Sequence, residues 1–395
     1  MKLKQSIRVV TSCRSRFHIF DQARELAKHQ MLHMLITDYP KSWPTRFEIP
    51  ADKVKSLLLA GIVSHGLSRC TSYLSAAHRM RVGQWVHDRF SRKLARLIPV
   101  DTQYFIGLSS FSLEALRVCR SSGIICAVDH GSLHQKYDAL LVVAESERWG
   151  LDVPVDESPD WVIEKEDAEF NVADHVFVMS SVAKDSMVRF GVLPEKIFVN
   201  SCGVDLTQFY EGRKLDAVFR IIQVGSVTPR KGVLTLLDAF ARAHLGNAEL
   251  WFVGEIIGSS GFQYVVNKMR TNGVTIHPPV SQAKLRDFYN QCSVFVLASV
   301  ADGFGMVVLQ AMACGLPVIV TENVGAKDLI VDGVNGFIVP VGAPQIIAER
   351  LRQLHGDPEL CRTMGMAARQ TVEKGYAWQD YGDRLVSFLR SQVPA

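Results

Sequence analysis

Read only for the spacing of apolar and polar positions, the chain divides into short unbroken apolar runs separated by stretches of helical period. In the first half SIRVVTS, LHMLITD, QYFIGLS, GIICAVD, DHVFVMS and KIFVN read as strands, with DQARELAKHQ, LEALRVCRS and residues 182–190 as helices among them. The second half repeats the rhythm with FRIIQVG, AELWFVG, GVTIH, SVFVLAS and PVIVT, each ahead of a helical pattern. A strand buried on both faces has no polar side. Continuous apolar runs alternating with helices therefore predict right-handed crossovers and mostly parallel sheets. Periodicity lapses over SCGVDLTQFYEGRKLDAV, which predicts a linker. The expected class is α/β: two doubly wound, Rossmann-like domains, residues 1–205 and 206–375, facing each other across a cleft, with ligands at the carboxyl ends of the strands. The final YAWQDYGDRLVSFLRSQ is amphipathic, so residues 376–395 are expected to cross back as a helix onto the first domain.

A length of 395 residues exceeds one ordinary core, which agrees with two domains. A content of 48% hydrophobic and 21% charged residues is that of a globular protein able to bury both. The net charge of +4 is mild, and no aromatic-interleaved basic groove or Cys/His finger spacing accompanies it, so nucleic acid is not an expected partner. Eight scattered cysteines without a C-x-x-C pair fit the reducing cytoplasm. Arg8 interrupts the start before an apolar core of signal-peptide length, and no run approaches membrane-spanning length, so neither export nor integral insertion is expected. Residues 64–98 hold Arg69, Arg79, Arg81, Arg89, Arg92, Lys93 and Arg96 against the single acid Asp88, interleaved with Leu, Tyr, Trp and Phe. Two readings stay open there: peripheral contact with an anionic membrane surface or lipid-linked acceptor, and an ordinary solvated face.

Chemistry concentrates at two strand ends of the second half. In ADGFGMVVLQAMACGLPVIVT, Gly303 and Gly305 follow a strand and open a helix that runs from Met306 to Cys314. The first helical N–H groups lack intrahelical partners and carry the positive end of the helix dipole, a seat for phosphate. A tight turn without a ligand would use the same glycines. In VGSVTPRKGV, Arg230 and Lys231 sit at the mouth of the next helix. A point charge beside a planar fork suits a diphosphate; a solvated pair is the alternative. In the first half, His130 of AVDHGSLHQ follows a strand end and is placed either to hydrogen-bond a ligand in the cleft, or as a core or capping histidine. In TSCRSRFH, Arg14, Arg16 and His18 are candidates to face an anionic ligand in the cleft. His29 and His33 have the spacing of a zinc pair, but no Glu follows His29 and the helix ends between them, so no metal site is expected.

Taken together, VGSVTPRKGV…DAF, AELWFVG, the long segment from Ala301 through GVNGFIV, and the terminal YAWQDY resemble a GT-B-fold glycosyltransferase of the family 4 type, glycosyl transferases group 1. NSCGVDLTQF is similar to that family's interdomain segment. The resemblance covers most of residues 198–392 in order and, in the first domain, mainly EFNVADHVFVMSSVAKDSMVRFGV. It implies transfer of a sugar, with retention of configuration and without metal or other cofactor, from a nucleotide-diphosphate sugar to a glycan or lipid-linked acceptor. It further implies that Asp302 and the backbone of Gly303, Phe304, Gly305 and Met306 hold the sugar, that Gln310 holds the ribose, and that Lys231 and Arg230 hold the diphosphate. Asp302, Lys231 and His130 are the expected catalytic residues.

Three positions depart from the family pattern. The family usually has Glu where this chain has Asp302 and Gln310, and Arg where it has Ser226. Asp302 keeps the charge on a shorter arm, and Gln310 keeps an acceptor but loses the charge. Ser226 removes a cation from the leaving diphosphate, for which Arg230 is the candidate replacement. The sequence has no D-x-D triplet, which fits a diphosphate neutralised by side chains and helix N-termini rather than by Mg²⁺. Two other functions remain open: a non-catalytic nucleotide-sugar-binding partner subunit, and a GT-B sugar-nucleotide epimerase.

Overall fold

The structure is a computed structural model that describes residues 7–14, 17–57, 76–152, 159–270 and 272–393. The first sheet comprises β1 (Val9–Cys13), β2 (Leu32–Thr37), β3 (Val54–Ser56), β4 (Tyr104–Leu108), β5 (Ile125–Asp129), β6 (His175–Val178) and β7 (Ile197–Val199), in the order β3-β2-β1-β4-β5-β6-β7. The second comprises β8 (Phe219–Val224), β9 (Ala248–Val253), β10 (Val274–His277), β11 (Val294–Leu297), β12 (Val318–Thr321) and β13 (Gly336–Val339), in the order β10-β9-β8-β11-β12-β13. Every pairing between these strands is parallel. These are the two doubly wound sheets of the GT-B arrangement. The chain reverses direction across each sheet at β1/β4 and β8/β11, where a crevice opens beyond the strand ends.

The apolar runs form strands because both sheet faces are covered. β1, β4, β8, β11 and β12 are buried along their whole lengths. Burying each Val, Leu or Ile is worth roughly 1.5–3 kcal/mol, and a polar residue in these runs forfeits it. The edge strands β3 and β13 were not read from the sequence. They are three and four residues long; β3 exposes Lys55 and so shows no continuous apolar run, while β13 is the apolar but short GFIV. The helix Asp160–Val172 was also missed as an element, because it buries Glu166 and Glu169, acids that break the helical apolar stripe; the helix Gln135–Arg148 likewise buries Asp138 and Glu145.

Two chain crossings join the sheets side by side. Val204, in the connection after β7, donates its amide to Tyr376 O at 2.8 Å and forms a parallel bridge with Ala377. The terminal helix Trp378–Gln392 then returns to the first domain and packs on the helix Ile19–Lys28, where Gln22 Nε2 donates to the Tyr381 hydroxyl at 3.0 Å. The seven described cysteines carry free thiols; Cys70 lies outside the described residues. No described helix is long and apolar enough to cross a membrane.

Candidate functional site

The site begins at the reversal point of the second sheet. β8 runs into Gly225 and Ser226, the latter partly buried, and then into a single 3-10 turn, Pro229–Lys231. Gly232 follows with φ +62 and opens the helix Val233–Ala243. A Cβ on Gly232 would strike the carbonyl oxygen of Ala298, so this close approach to the end of β11 needs glycine. Val300 N donates to Arg230 O at 2.9 Å, tying the turn to the loop beyond β11. Arg230, Lys231 and Asp302 are thereby brought together from two neighbouring strands.

Lys231 Nζ donates to Asp302 Oδ2 at 2.5 Å, with only 17% and 12% of the two side chains exposed. Burial alone would raise the Asp302 carboxyl. The charges of Lys231 and Arg230 and the Lys231 hydrogen bond outweigh burial and hold the carboxyl below the usual range. Arg230 Nη1 lies 3.5 Å from Ala301 O and 3.7 Å from Asp138 Oδ1, which belongs to the first-domain helix Gln135–Arg148. Asp138 was not singled out in the sequence.

The glycine loop is clamped from both sides. Gly325 N donates to Asp302 O at 3.0 Å and Ala326 N to Phe304 O at 2.6 Å. The Phe304 side chain fills the hydrophobic core, so only its backbone is offered to a ligand. Gly305, φ +85, opens the helix Met306–Ala313. A Cβ on Gly303 would lie 2.6 Å from Ser132 Cα, and Ser180 Oγ donates to Gly303 O at 2.7 Å, so the loop touches the first domain directly. Met306 and Gln310 face an interdomain cleft of ≈ 740 Å³ whose other walls include Phe17, Arg24, Asp205 and Trp378. Behind the cleft wall the buried Tyr289 hydroxyl donates to Gln310 Oε1 at 3.2 Å.

His130 is turned into its own domain. Its Nδ1 lies 2.9 Å from Ser109 Oγ and its Nε2 3.0 Å from Leu133 O, and the residue is buried. Both ring nitrogens are engaged, so the expected ligand-facing nitrogen is not displayed; in this structure the histidine fastens the loop that carries Gly131 and Ser132. Arg14 is drawn to Asp38 at 3.5 Å. His18 Nε2 pairs with Asp129 at 3.0 Å, and its buried Nδ1 has no hydrogen-bond partner among the described residues. Arg16 lies outside the described residues. His29 and His33 pair with separate carboxylates, Asp383 at 3.2 Å and Asp101 at 3.3 Å.

Sequence reasoning also missed two buried acids behind His130. Glu169 accepts the amides of Ser110 at 2.6 Å and Ser112 at 2.7 Å, and the Ser110 hydroxyl donates to Glu166 at 2.5 Å. Burial pushes the Glu169 carboxyl up to about 8 although both amides favour its charged form. These bonds hold Ser110 at φ +70 beside Ser109, the partner of His130. A lone Glu in a helical run carries no signal of such a role. Elsewhere, Trp85, Arg89, Arg92, Lys93 and Arg96 line a shallow groove of ≈ 270 Å³ on and just beyond the helix Ala76–Ala95. Asp88 is bonded to Lys165 at 3.0 Å, and residues 64–75, with Arg69, lie outside the described residues.

The sequence pattern of the family described as glycosyl transferases group 1 matches residues 209–371. Among curated relatives, a Catenulispora acidiphila protein named D-inositol 3-phosphate glycosyltransferase 1 is 28% identical over 258 residues, 60% of this chain and 62% of the relative. The Staphylococcus aureus capsular polysaccharide biosynthesis glycosyltransferase CapM is 28% identical over 239 residues, 55% of this chain and 60% of the relative. The chain thus spans less than two thirds of the length of these relatives. Among solved structures, the sucrose-phosphate synthase of Thermosynechococcus elongatus superposes with TM-score 0.71 at 18% identity, covering 98% of this chain and 99% of that one. Anabaena HepE, solved in complex with UDP and glucose, superposes with TM-score 0.66 at 16% identity, covering 98% and 100%. These two structural likenesses speak for the fold.

Proposed function

We propose, from the match of residues 209–371 to the family described as glycosyl transferases group 1, that this chain belongs to that family and transfers a sugar with retention from a nucleotide-diphosphate donor to a glycan or lipid-linked acceptor. The observation that carries the reading is the grouping of Lys231, Arg230 and Asp302 at the β8/β11 reversal point, next to the opening of the helix Met306–Ala313. HepE, with its bound UDP and glucose, supports a nucleotide donor in a cleft of this architecture.

In this reading the acceptor hydroxyl attacks the anomeric carbon from the face that the phosphate leaves. The bond to phosphate oxygen breaks, the bond to acceptor oxygen forms, and a leaving phosphate oxygen takes the acceptor proton. No carboxylate nucleophile is required. Charge grows on the diphosphate as the bond breaks, so Lys231, Arg230 and the amides at Gly303–Met306 stabilise the transition state more than the bound donor. Lys231 must give up part of its bond to Asp302 to do so, which frees the Asp302 carboxylate for sugar hydroxyls. Gln310 holds the ribose, Ser226 lies against the diphosphate without charge, and His130 fixes the facing loop.

The enzyme is read as cytoplasmic. The groove of Trp85, Arg89, Arg92, Lys93 and Arg96 favours peripheral contact with anionic lipid, which would bring a lipid-linked acceptor to the first domain. A panel of nucleotide sugars with and without acceptors tests the proposal. Acceptor-dependent release of nucleoside diphosphate supports transfer. Binding without turnover would assign a non-catalytic partner, and donor conversion without acceptor an epimerase.

A further inference from the structure

We infer that Asp138 is the counter-anion of the donor site: it holds Arg230 from the facing domain, and an incoming nucleoside diphosphate must take Arg230 from it. The inference rests on the diphosphate placement proposed above and adds to it a residue of the first domain that tunes donor affinity.

Asp138 is 7% exposed, and its Oδ1 has no hydrogen-bond partner among the described residues. Arg230 Nη1, at 3.7 Å, is near enough for attraction but too far for a hydrogen bond. A buried carboxylate held this loosely is poorly compensated. Asp302, Lys231 and Arg230 all act on its charge: burial and Asp302 push the carboxyl up, while Arg230 and Lys231 pull it down.

These four groups sum to no net charge. A diphosphate must share Lys231 with Asp302, which holds it at 2.5 Å, and must draw Arg230 from Asp138 at 3.7 Å, so Asp138 competes for the second cation of the site. The competition is sharpened by Ser226, where the family pattern would add a third cation. Asp138 is set in place independently of Arg230. Its helix is capped by His134 and packs on the second domain through Glu145, whose Oε1 accepts the Thr235 hydroxyl at 3.3 Å. A diphosphate arriving at Arg230 thus meets a fixed negative charge from the opposite wall.

The test is calorimetric titration of UDP, GDP and ADP, with inorganic pyrophosphate alongside, into wild type, Asp138→Asn, Arg230→Ala, the double variant and Lys231→Ala. Asn has the shape of Asp and no Oδ1 hydrogen bond is lost, so folding is retained, as thermal unfolding of each variant checks. Removing the largely buried negative charge that competes for Arg230 is expected to tighten diphosphate binding roughly tenfold in Asp138→Asn. In the Arg230→Ala background the gain should shrink to under about threefold if the carboxylate acts through Arg230. Unchanged or weaker binding in Asp138→Asn overturns the inference, as does an equal gain without Arg230. If wild type binds and Lys231→Ala does not, such a result removes only the role of Asp138. If no variant binds any diphosphate, the proposed function falls and this inference with it.

Discussion

Lys231 and Asp302 lie 71 positions apart in sequence, yet their side chains share a 2.5 Å hydrogen bond. They meet because β8 and β11 are neighbours at the point where the second sheet reverses. A cation and an acid that belong to different subsites of the proposed donor, diphosphate and sugar, are here one another's partner. Donor binding therefore rearranges an ion pair instead of filling two independent contacts.

The pair makes stability depend on pH. The folded Asp302 carboxyl lies below its ordinary value of 3.8, so its contribution is fully present above that value and is lost as pH falls through the lowered folded value. Asp302→Asn is expected to cost about 1–3 kcal/mol at neutral pH, because the partly buried Lys231 is left without its anion. Denaturant unfolding from pH 7 to below the lowered Asp302 value should show a constant gap between wild type and variant above pH 3.8 that narrows as pH falls below it. A gap that stays constant below pH 3.8 as well would show that the pair does not stabilise through charge.

Gly303→Ala should separate the domains at the glycine loop. The new methyl carbon would lie 2.6 Å from Ser132 Cα and 2.8 Å from Gly131 O, both backbone atoms that cannot turn aside. The expected cost is about 1–3 kcal/mol of stability, together with loss of turnover. Equal melting temperature and activity in the variant would show that the domains do not need this contact.

Gln310→Glu should improve the donor subsite. The Tyr289 hydroxyl, now 3.2 Å from Gln310 Oε1, would donate to a carboxylate, whose second oxygen is left to accept from a ribose hydroxyl. A charge-assisted bond is about twice as strong as a neutral one, so KM for the donor is expected to fall roughly threefold to tenfold with little change in kcat. An unchanged KM would place the ribose elsewhere.

Vesicle flotation tests the basic groove. Wild type should associate with vesicles containing anionic phospholipid and not with neutral ones, and Arg89→Glu with Lys93→Glu should weaken this by roughly 2 kcal/mol or more at low salt. Recovery of wild type wholly in the unbound fraction would leave the groove as a solvated face.

How much of this was legible in the sequence differs from element to element. β8, β11 and β12 announce themselves because a strand buried on both faces must be apolar throughout. The grouping of Lys231 with Asp302 followed from placing both at strand ends of one sheet, although their hydrogen bond did not. Asp138, Glu166 and Glu169 were invisible. Their burial depends on which helix faces the cleft, and an acid in a helical run looks solvated until its neighbours are known. For His130 the reading left ligand and core roles open. Its orientation is decided by Ser109 and Leu133 O, partners the sequence does not reveal.

The central claim is that a nucleoside diphosphate seats on Lys231 at the β8/β11 reversal point. Calorimetric titration of UDP, GDP and ADP into wild type and Lys231→Ala, both checked for folding, tests it most directly. The account predicts saturable binding of at least one of them by wild type and at least a roughly tenfold loss in Lys231→Ala, the scale of a charge-assisted contact. Equal binding by the two proteins, or none by either, would contradict it.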